Sequence, residues 1–356
     1  MIKSIKIKNF MAHSSLSLED IPPINIIIGK NDTGKTGILK LLYSTVKSLE
    51  IYSLKKKHGD VSFKRELAEK LIDVFMPRKQ LGDLVQKGSD DKLDVTISIT
   101  DQNNYNQDIS FAFGSRTEST ITTCLEPSNA IPDGTINALF VPAKEVLTAF
   151  NDISSIRELH YGKGFDDTYF DLIKALRLET TKGRVATELS TVNKVLEDLF
   201  EGKIEQTGQQ EQPFIFKKGN QQFSMQQTAE GIKKIGILTT LINNRQLGKG
   251  TVLFMDEPET ALHPDAIRKM VEMLVAMSKA GVQIFIASHS YFIIKQMALC
   301  AKRDKLAIKC WNLEKEIGKP LTNSFHDLID GILPDNSIIN ESLAMYNDDI
   351  KITLGL

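Results

Sequence analysis

The sequence predicts an α/β domain interrupted by a large insertion, on three observations. An apolar strand, Ile24–Ile28, runs through a glycine-bearing loop into a helical pattern. Two further apolar runs, Val252–Met255 and Gln283–Ala287, alternate with helical stretches near the other end. Between these ends lie β-hairpin and helical patterns. Strand–helix alternation of this kind builds a sheet covered by helices on both faces.

Taken in order, Ile2–Phe10 alternates apolar and polar residues and reads as a half-buried strand. After Pro22-Pro23, Ile24–Ile28 is apolar throughout except Asn25, as a strand covered on both faces requires. Gly29–Thr36 is a loop, and Ile38, Leu41, Leu42, Val46 and Leu49 fall at helical spacing over Gly37–Leu49. Phe63–Phe75 is predicted helical, while Leu93–Thr100 and Ile109–Phe113 are predicted to pair antiparallel across DQNNYNQ. Ala138–Val141 is a short strand. Ile153–Glu201 is mainly helical, with breaks at Gly162 or Gly164 and around Thr181-Lys182-Gly183. Phe214–Phe223 turns at Gly219-Asn220, and helices over Thr228–Asn243 and Asp265–Ala280 flank the strand Val252–Met255. The expected division is an N-terminal lobe 1–150, a helical insertion 151–212, a C-terminal lobe 213–300 and a C-terminal extension 301–356.

Composition excludes several classes. Hydrophobic residues at 41% and charged residues at 25% are those of an ordinary globular chain. A net charge of −1 advertises neither nucleic acid nor an anionic membrane, so DNA binding would need a local basic face. Cys124, Cys300 and Cys310 are odd in number and form no CxxC, which fits a reducing compartment. No signal-peptide core or bilayer-length apolar run occurs, so the expectation is a cytoplasmic protein with no membrane partner. The basic run Lys55-Lys56-Lys57-His58 reads as a solvated loop before a nucleic-acid contact.

GKNDTGKT, residues Gly29, Lys30, Asn31, Asp32, Thr33, Gly34, Lys35 and Thr36, matches G-x-x-x-x-G-K-[ST] between a strand and a helix. Such a loop curls its N–H groups toward phosphate oxygens, aided by the helix N-terminus that Gly37 enters. Lys35 would neutralise β- and γ-phosphates and Thr36 would hold Mg²⁺, making ATP and Mg²⁺ the expected cofactors. In VLFMDEPETALHP a buried strand ends in Asp256 and Glu257, and uncompensated carboxylates there would cost several kcal/mol. A metal–phosphate assembly compensates both: Asp256 on the metal's side, Glu257 as the base that activates water. His289, in ASHS at the end of a third apolar strand, is placed to sense a γ-phosphate; the alternative is a helix cap at Ser288 or Ser290 with His289 incidental.

In this order GKNDTGKT, VLFMDEPE, TALHP and ASHS resemble the ABC-like ATPases grouped with SMC and RecF proteins, and DEPETALHP with TAEGIKKIGIL resembles the OLD (overcoming lysogenization defect) family most. VPAKEVL and FDDTYFDLI add a likeness to stand-alone ATPase subunits of anti-phage systems such as PARIS, Septu and some retrons. The resemblance implies an ABC-type P-loop fold with a mixed β-sheet core, an antiparallel β subdomain and an inserted helical subdomain. It also implies a homo-oligomer, because a signature loop in one copy closes on the γ-phosphate held by another. The matching residues are Thr228 to Lys234, with Glu230, Gly231 and Lys233 at the nucleotide. Where the family usually has serine this chain has Glu230, whose charge would repel phosphate; the alternatives are contact through Thr228 or the helix N–H groups, slow hydrolysis, or compensation by Lys233. The resemblance further offers Gln80 as a Q-loop residue on the metal, with an ordinary surface glutamine as the alternative, and His13 as a stacking partner of adenine.

OLD nucleases carry a C-terminal metal-dependent nuclease domain, and the stretch after ASHS contains no DxD pair. The implied function is therefore an ATPase scaffold of a defence complex with no nuclease activity of its own. Its partners would be a separate nuclease or toxin subunit and a phage-encoded trigger protein. The alternative is a RecF-like DNA-repair ATPase.

Overall fold

The computed structural model describes residues 1–356 except 57–58, 60, 128–133, 161–163, 179–190, 192–193, 195–196, 199, 210, 316–318, 320 and 355–356. Its elements in chain order begin with β1 (Ile2–Phe10), β2 (His13–Leu18), β3 (Ile24–Gly29), α1 (Lys35–Lys56), α2 (Phe63–Phe75), β4 (Leu93–Thr100), β5 (Asn106–Phe113), β6 (Thr123–Cys124) and β7 (Asn137–Val141). α3 (Phe150–His160), α4 (Asp167–Arg177), β8 (Lys203–Gln206), β9 (Phe214–Lys218), β10 (Gln221–Ser224) and α5 (Glu230–Asn243) follow. The chain continues with β11 (Thr251–Asp256), α6 (Pro264–Lys279), β12 (Gln283–Ser288), α7 (Tyr291–Asp304), β13 (Ile308–Glu314), β14 (Thr322–Asp327) and α8 (Ser337–Leu354).

The central sheet has the order β14-β13-β3-β12-β11-β7, parallel except for the edge strand β14. Its inner strands β3, β12 and β11 are almost wholly apolar because both of their faces are covered. Ile24, Ile26, Ile28, Leu253, Met255, Ile284 and Ile286 face the core built with α4 to α7. Ile27, Val252, Phe254, Phe285 and Ala287 face the core shared with α1, α2 and the antiparallel sheet. Period-two alternation divides adjacent residues between the two cores.

A second sheet, β2-β1-β4-β5-β6, is antiparallel, and β8–β10 form a small third sheet. Gln283 fastens the second sheet to the first: its side chain accepts from Ile2 N at 2.6 Å and donates to Ile2 O at 2.8 Å.

Several expectations need correction. β2 and β8 are strands where none was expected, the latter just beyond the stretch read as helical and within the insertion 151–212. The C-terminal extension is not a mere appendage to the sheet, for β13 pairs with β3 from Ile308↔Ile24 to Leu313↔Gly29 and buries Trp311 completely. The central sheet thus draws strands from both lobes and from the extension. Gly164 lies between α3 and α4, as expected of a break, while Gly162 and residues 181–183 fall outside the described residues. So do Lys57 and His58 of the basic run; Lys55 pairs with Glu66 and Lys56 lies over the Tyr52 ring. Among the described residues no helix is long and apolar enough to cross a membrane.

FDDTYFDLI acquires a structural role. Asp166 caps α4 by accepting from Thr168 N at 2.9 Å and pairs with Lys40 of α1 at 2.7 Å. Buried Lys70 of α2 reaches Asp167 at 2.6 Å and Asp171 at 2.9 Å, and Asp171 also accepts from the Tyr43 hydroxyl at 2.6 Å. Three helices are joined by buried charge, and a buried carboxylate that loses its partner is costly. Lys70→Met is therefore expected to destabilise the fold by about 3–5 kcal/mol in urea unfolding. A loss under about 1 kcal/mol would show that water already screens the cluster.

Candidate nucleotide site

Three adjacent parallel strands end at one edge of the central sheet. Asp256 of β11 is in register with Ala287 of β12, and Ser288 of β12 with Ile28 of β3. The residues that follow these strands are therefore neighbours, although they are far apart in the chain.

After β3 the loop passes through Asp32, at φ 63°, and Gly34, at φ 80°. A Cβ on Gly29 would meet the Leu313 carbonyl at 2.5 Å, so β13 crowds the loop from the side. A Cβ on Gly34 would come within 2.6 Å of His13 Nε2, and one on Gly37 within 3.2 Å of Met11 Sδ. Lys30, Asn31 and Asp32 are exposed at the tip, where Asp32 pairs with Lys315 at 2.7 Å, while Thr33 is buried and donates to Lys30 O. The Lys35 ammonium curls back onto Gly29 O at 2.8 Å and Lys30 O at 3.0 Å. Burial lowers its pKa, and Glu257, Asp256 and Glu259 oppose that shift. A buried cation in a loop with two close-packed glycines is the chemistry a polyphosphate needs.

Thr36 Oγ1 lies 2.9 and 3.0 Å from the two carboxylate oxygens of Asp256. Burial raises the Asp256 pKa, the Thr36 hydrogen bond lowers it, and adjacent Glu257 raises it further. A hydroxyl and a carboxylate side by side are hard oxygen donors of the kind Mg²⁺ takes, leaving its other positions to phosphate and water. Tyr169 of α4 has its hydroxyl pKa pushed up to about 12, by burial first and by Asp166 and Asp256 after it.

Glu257 sits in a left-handed conformation, φ 44°, which turns its side chain out of the strand line, and its N–H donates to Ala287 O at 2.9 Å. His289 Nδ1 is 3.3 Å from Glu257 Oε1. Glu259, which sequence reasoning missed, anchors the ASHS turn: buried Oε1 accepts from Ser288 Oγ at 2.7 Å and from His289 N at 3.2 Å. Its only sequence signal is a third carboxylate two residues after Glu257.

The other predicted residues fall in different places. Thr228 to Lys234 open α5, whose first residue is Glu230. Glu230 pairs with Lys233, which also reaches Glu145 at 3.2 Å and Thr148 at 2.8 Å, so VPAKEVL holds the signature-like helix. The Thr228 hydroxyl is committed to Ser224 O at 2.8 Å. Gly231 packs on the turn after β11, where a Cβ would meet Leu262 Cδ2 at 3.0 Å and Ala261 O at 3.1 Å. His13 is buried beneath the loop, stacked on Phe10 at 6.4 Å, with its pKa pushed down to about 4 by burial; a covered ring offers adenine no open face. Gln80 caps the short turn Leu81–Leu84 and donates to Ser115 O at 2.6 Å, and no hydrogen bond among the described residues joins it to Thr36 or Asp256.

A parallel sheet whose strand ends carry a glycine loop, a carboxylate pair and a histidine turn is the arrangement of an ABC-like ATPase. The chain belongs to the family described as "AAA domain, putative AbiEii toxin, Type IV TA system", which it matches over residues 45–295. It is similar to the Old nuclease of Escherichia phage P2, 29% identical over 119 residues, which cover 32% of this chain and 20% of that protein. An uncharacterized protein of Methanocaldococcus jannaschii is 35% identical over 103 residues, covering 29% of this chain and 43% of the relative. The chain thus spans less than half the length of either curated relative. The crystal structure of an SMC head bound to the C-winged helix domain of ScpA superposes with a TM-score of 0.57 at 13% identity, over 92% of this chain and 98% of that one. Fold and family agree with the expected ABC-type arrangement of mixed sheet, antiparallel sheet and helices, and the Old nuclease is among the proteins the chain resembles.

Gly34→Ala combines positive φ with a contact to buried His13, and strain of this kind costs about 1–3 kcal/mol. The variant is expected to melt lower and to bind ATP more weakly. Adding His13→Ala should recover part of the stability but leave the backbone strain, and full recovery of both would show that the φ restraint is unimportant.

Proposed function

We propose that this ATPase binds ATP with Mg²⁺ between Lys35, Thr36 and Asp256, and hydrolyses it slowly through Glu257. The observation that carries this reading is the Thr36–Asp256–Glu257–His289 cluster at three strand ends, beside a loop that buries its lysine. Mg²⁺ held by Thr36 and Asp256 would neutralise charge on the phosphates. Glu257 takes the proton of a water whose oxygen bonds to the γ-phosphorus as the bond to ADP breaks, giving ADP and phosphate. Lys35 holds the β- and γ-phosphates, and His289 orients Glu257 and contacts the γ-phosphate. Glu230, Gly231 and Lys233 approach a nucleotide held by a second copy, with the Glu230 charge answered by Lys233. His13 acts as the loop's support instead of an adenine platform.

The chain's role is that of a scaffold in an anti-phage complex, assembled as a cytoplasmic homo-oligomer that holds a separate nuclease or toxin and releases it when a phage protein triggers it. The toxin–antitoxin description of its family and the stretch shared with the Old nuclease support this. The lobes 1–150 and 213–300 close around the nucleotide. A second reading, a DNA-binding repair ATPase, draws on Lys3, Lys6 and Lys8, which stand in a row on the exposed face of β1.

Lys35→Ala is expected to lose ATP binding in an equilibrium titration, and retained affinity removes the phosphate-cradle assignment. Glu257→Gln is expected to keep ATP affinity but lose about a hundredfold or more in turnover. Captured from its native host with ATP present, that variant should bring down a stoichiometric nuclease or toxin. Nuclease-sensitive DNA without a protein partner, bound with a steep salt dependence, would instead establish the repair reading.

A further inference from the structure

Two adjacent lysines of α5 point to different structures. Lys233 holds the loop after β7, as described. Lys234, itself buried, passes to the other side and donates to the backbone carbonyl of Glu257 at 3.0 Å. That carbonyl belongs to a residue in left-handed conformation, and a second residue of the same turn, Ala261, is also left-handed at φ 65°. Two non-glycine residues at positive φ within five positions persist only where their surroundings hold them. The restraints on this turn include Glu257 N on Ala287 O, Thr260 N on Glu257 O, Gly231 packed against Ala261, and Lys234 on Glu257 O. The last two come from the first turns of α5, the helix whose start carries Glu230 and Gly231.

We infer that Lys234 is a positioning residue for hydrolysis: by gripping the Glu257 carbonyl it sets the direction of the Glu257 side chain and ties it, within one chain, to the helix that meets the partner's nucleotide. This rests on the reading of Glu257 as the base. The linkage is short, since Glu230 lies one helical turn before Lys234. A rigid movement of α5 when Glu230 and Gly231 engage a second copy therefore moves the Glu257 carbonyl with it. The grip is made within a single chain, so the direction of Glu257 is set by the same helix that carries Glu230 and Gly231. The positive charge also faces Glu257, Glu259, Asp256 and Glu230, so it helps to hold several carboxylates in one small volume.

The test compares wild type, Lys234→Met, Lys234→Arg, Glu257→Gln and the double variant Lys234→Met/Glu257→Gln. Steady-state kcat and KM for ATP are measured alongside the affinity for a fluorescent ATP analogue with Mg²⁺. Lys234→Met is expected to lower kcat about ten- to hundredfold, as small misplacements of a catalytic group do, with KM and affinity within about twofold of wild type. Lys234→Arg, which keeps the charged donor, should regain most of the rate, and the double variant should be no slower than Glu257→Gln. A Lys234→Met enzyme with near wild-type kcat, beside a slow Glu257→Gln, overturns the positioning role and leaves the base in place. A fast Glu257→Gln overturns the base itself and with it the inference. Should Lys234→Met not fold, Lys234→Gln, too short to reach the carbonyl, carries the same expected loss and the same overturning result.

Discussion

Parallel pairing of β3, β12 and β11 in fixed register is the constraint on which everything else in this molecule rests. Slipping any of these strands by one residue would exchange its two faces and move its terminal carboxylate or serine away from the loop after β3. With the register as it is, Thr36 meets Asp256 across 220 residues of sequence, and His289 meets Glu257 across the neighbouring strand end. The burial of Ile24 to Ile28, Val252 to Met255 and Gln283 to Ala287 supplies the driving force for this register. The cost is an edge where Asp256 and Glu257, partly exposed, and buried Glu259 are crowded together. Lys35, Lys40 and Lys234 are the cations the fold directs there.

The site is therefore best understood as an electrostatic balance held by a rigid frame. Lys35 curls onto its own loop carbonyls, and Asp256 accepts from Thr36. Both sets of contacts are ones that phosphate and metal would replace in kind. Glu257 and Ala261 are held against their backbone preference by α5, and Glu259 holds the ASHS turn. Each part of the edge is gripped by an element that also reaches elsewhere: α5 through Lys233 to Glu145, α1 through Lys40 to Asp166 at the start of α4, β13 beside Gly29.

Much of this was legible in the sequence because it is local. A strand, a glycine loop and a helix in succession announce the phosphate site, and apolar runs that stop at charge announce strand ends. What could not be read is long-range or weakly patterned. The run HSSLSL buries only His13, Leu16 and Leu18, and its serines disguise β2 as a loop. β13 lies in a stretch dominated by acidic residues farther on, and only its pairing with β3 reveals Trp311 as core. Asp166, Asp167 and Asp171 find Lys40 and Lys70 about a hundred or more residues away, so FDDTYFDLI shows no role until the chain is folded. Lys234 is one lysine of an adjacent pair, and nothing local tells which of the two will turn toward Glu257. His13 shows the opposite error, since a histidine beside a phosphate loop suggests a ligand contact, whereas the fold uses it as buried support.

The central claim is that Thr36 and Asp256 form one metal-dependent nucleotide site, and calorimetric titration of a non-hydrolysable ATP analogue with and without Mg²⁺ tests it most directly. In wild type the affinity should rise by at least about tenfold when Mg²⁺ is added, and in Asp256→Asn that rise should vanish while metal-free binding persists. An undiminished Mg²⁺ effect in Asp256→Asn would contradict the account, because the metal would then be held without the strand end that the fold brings to Thr36.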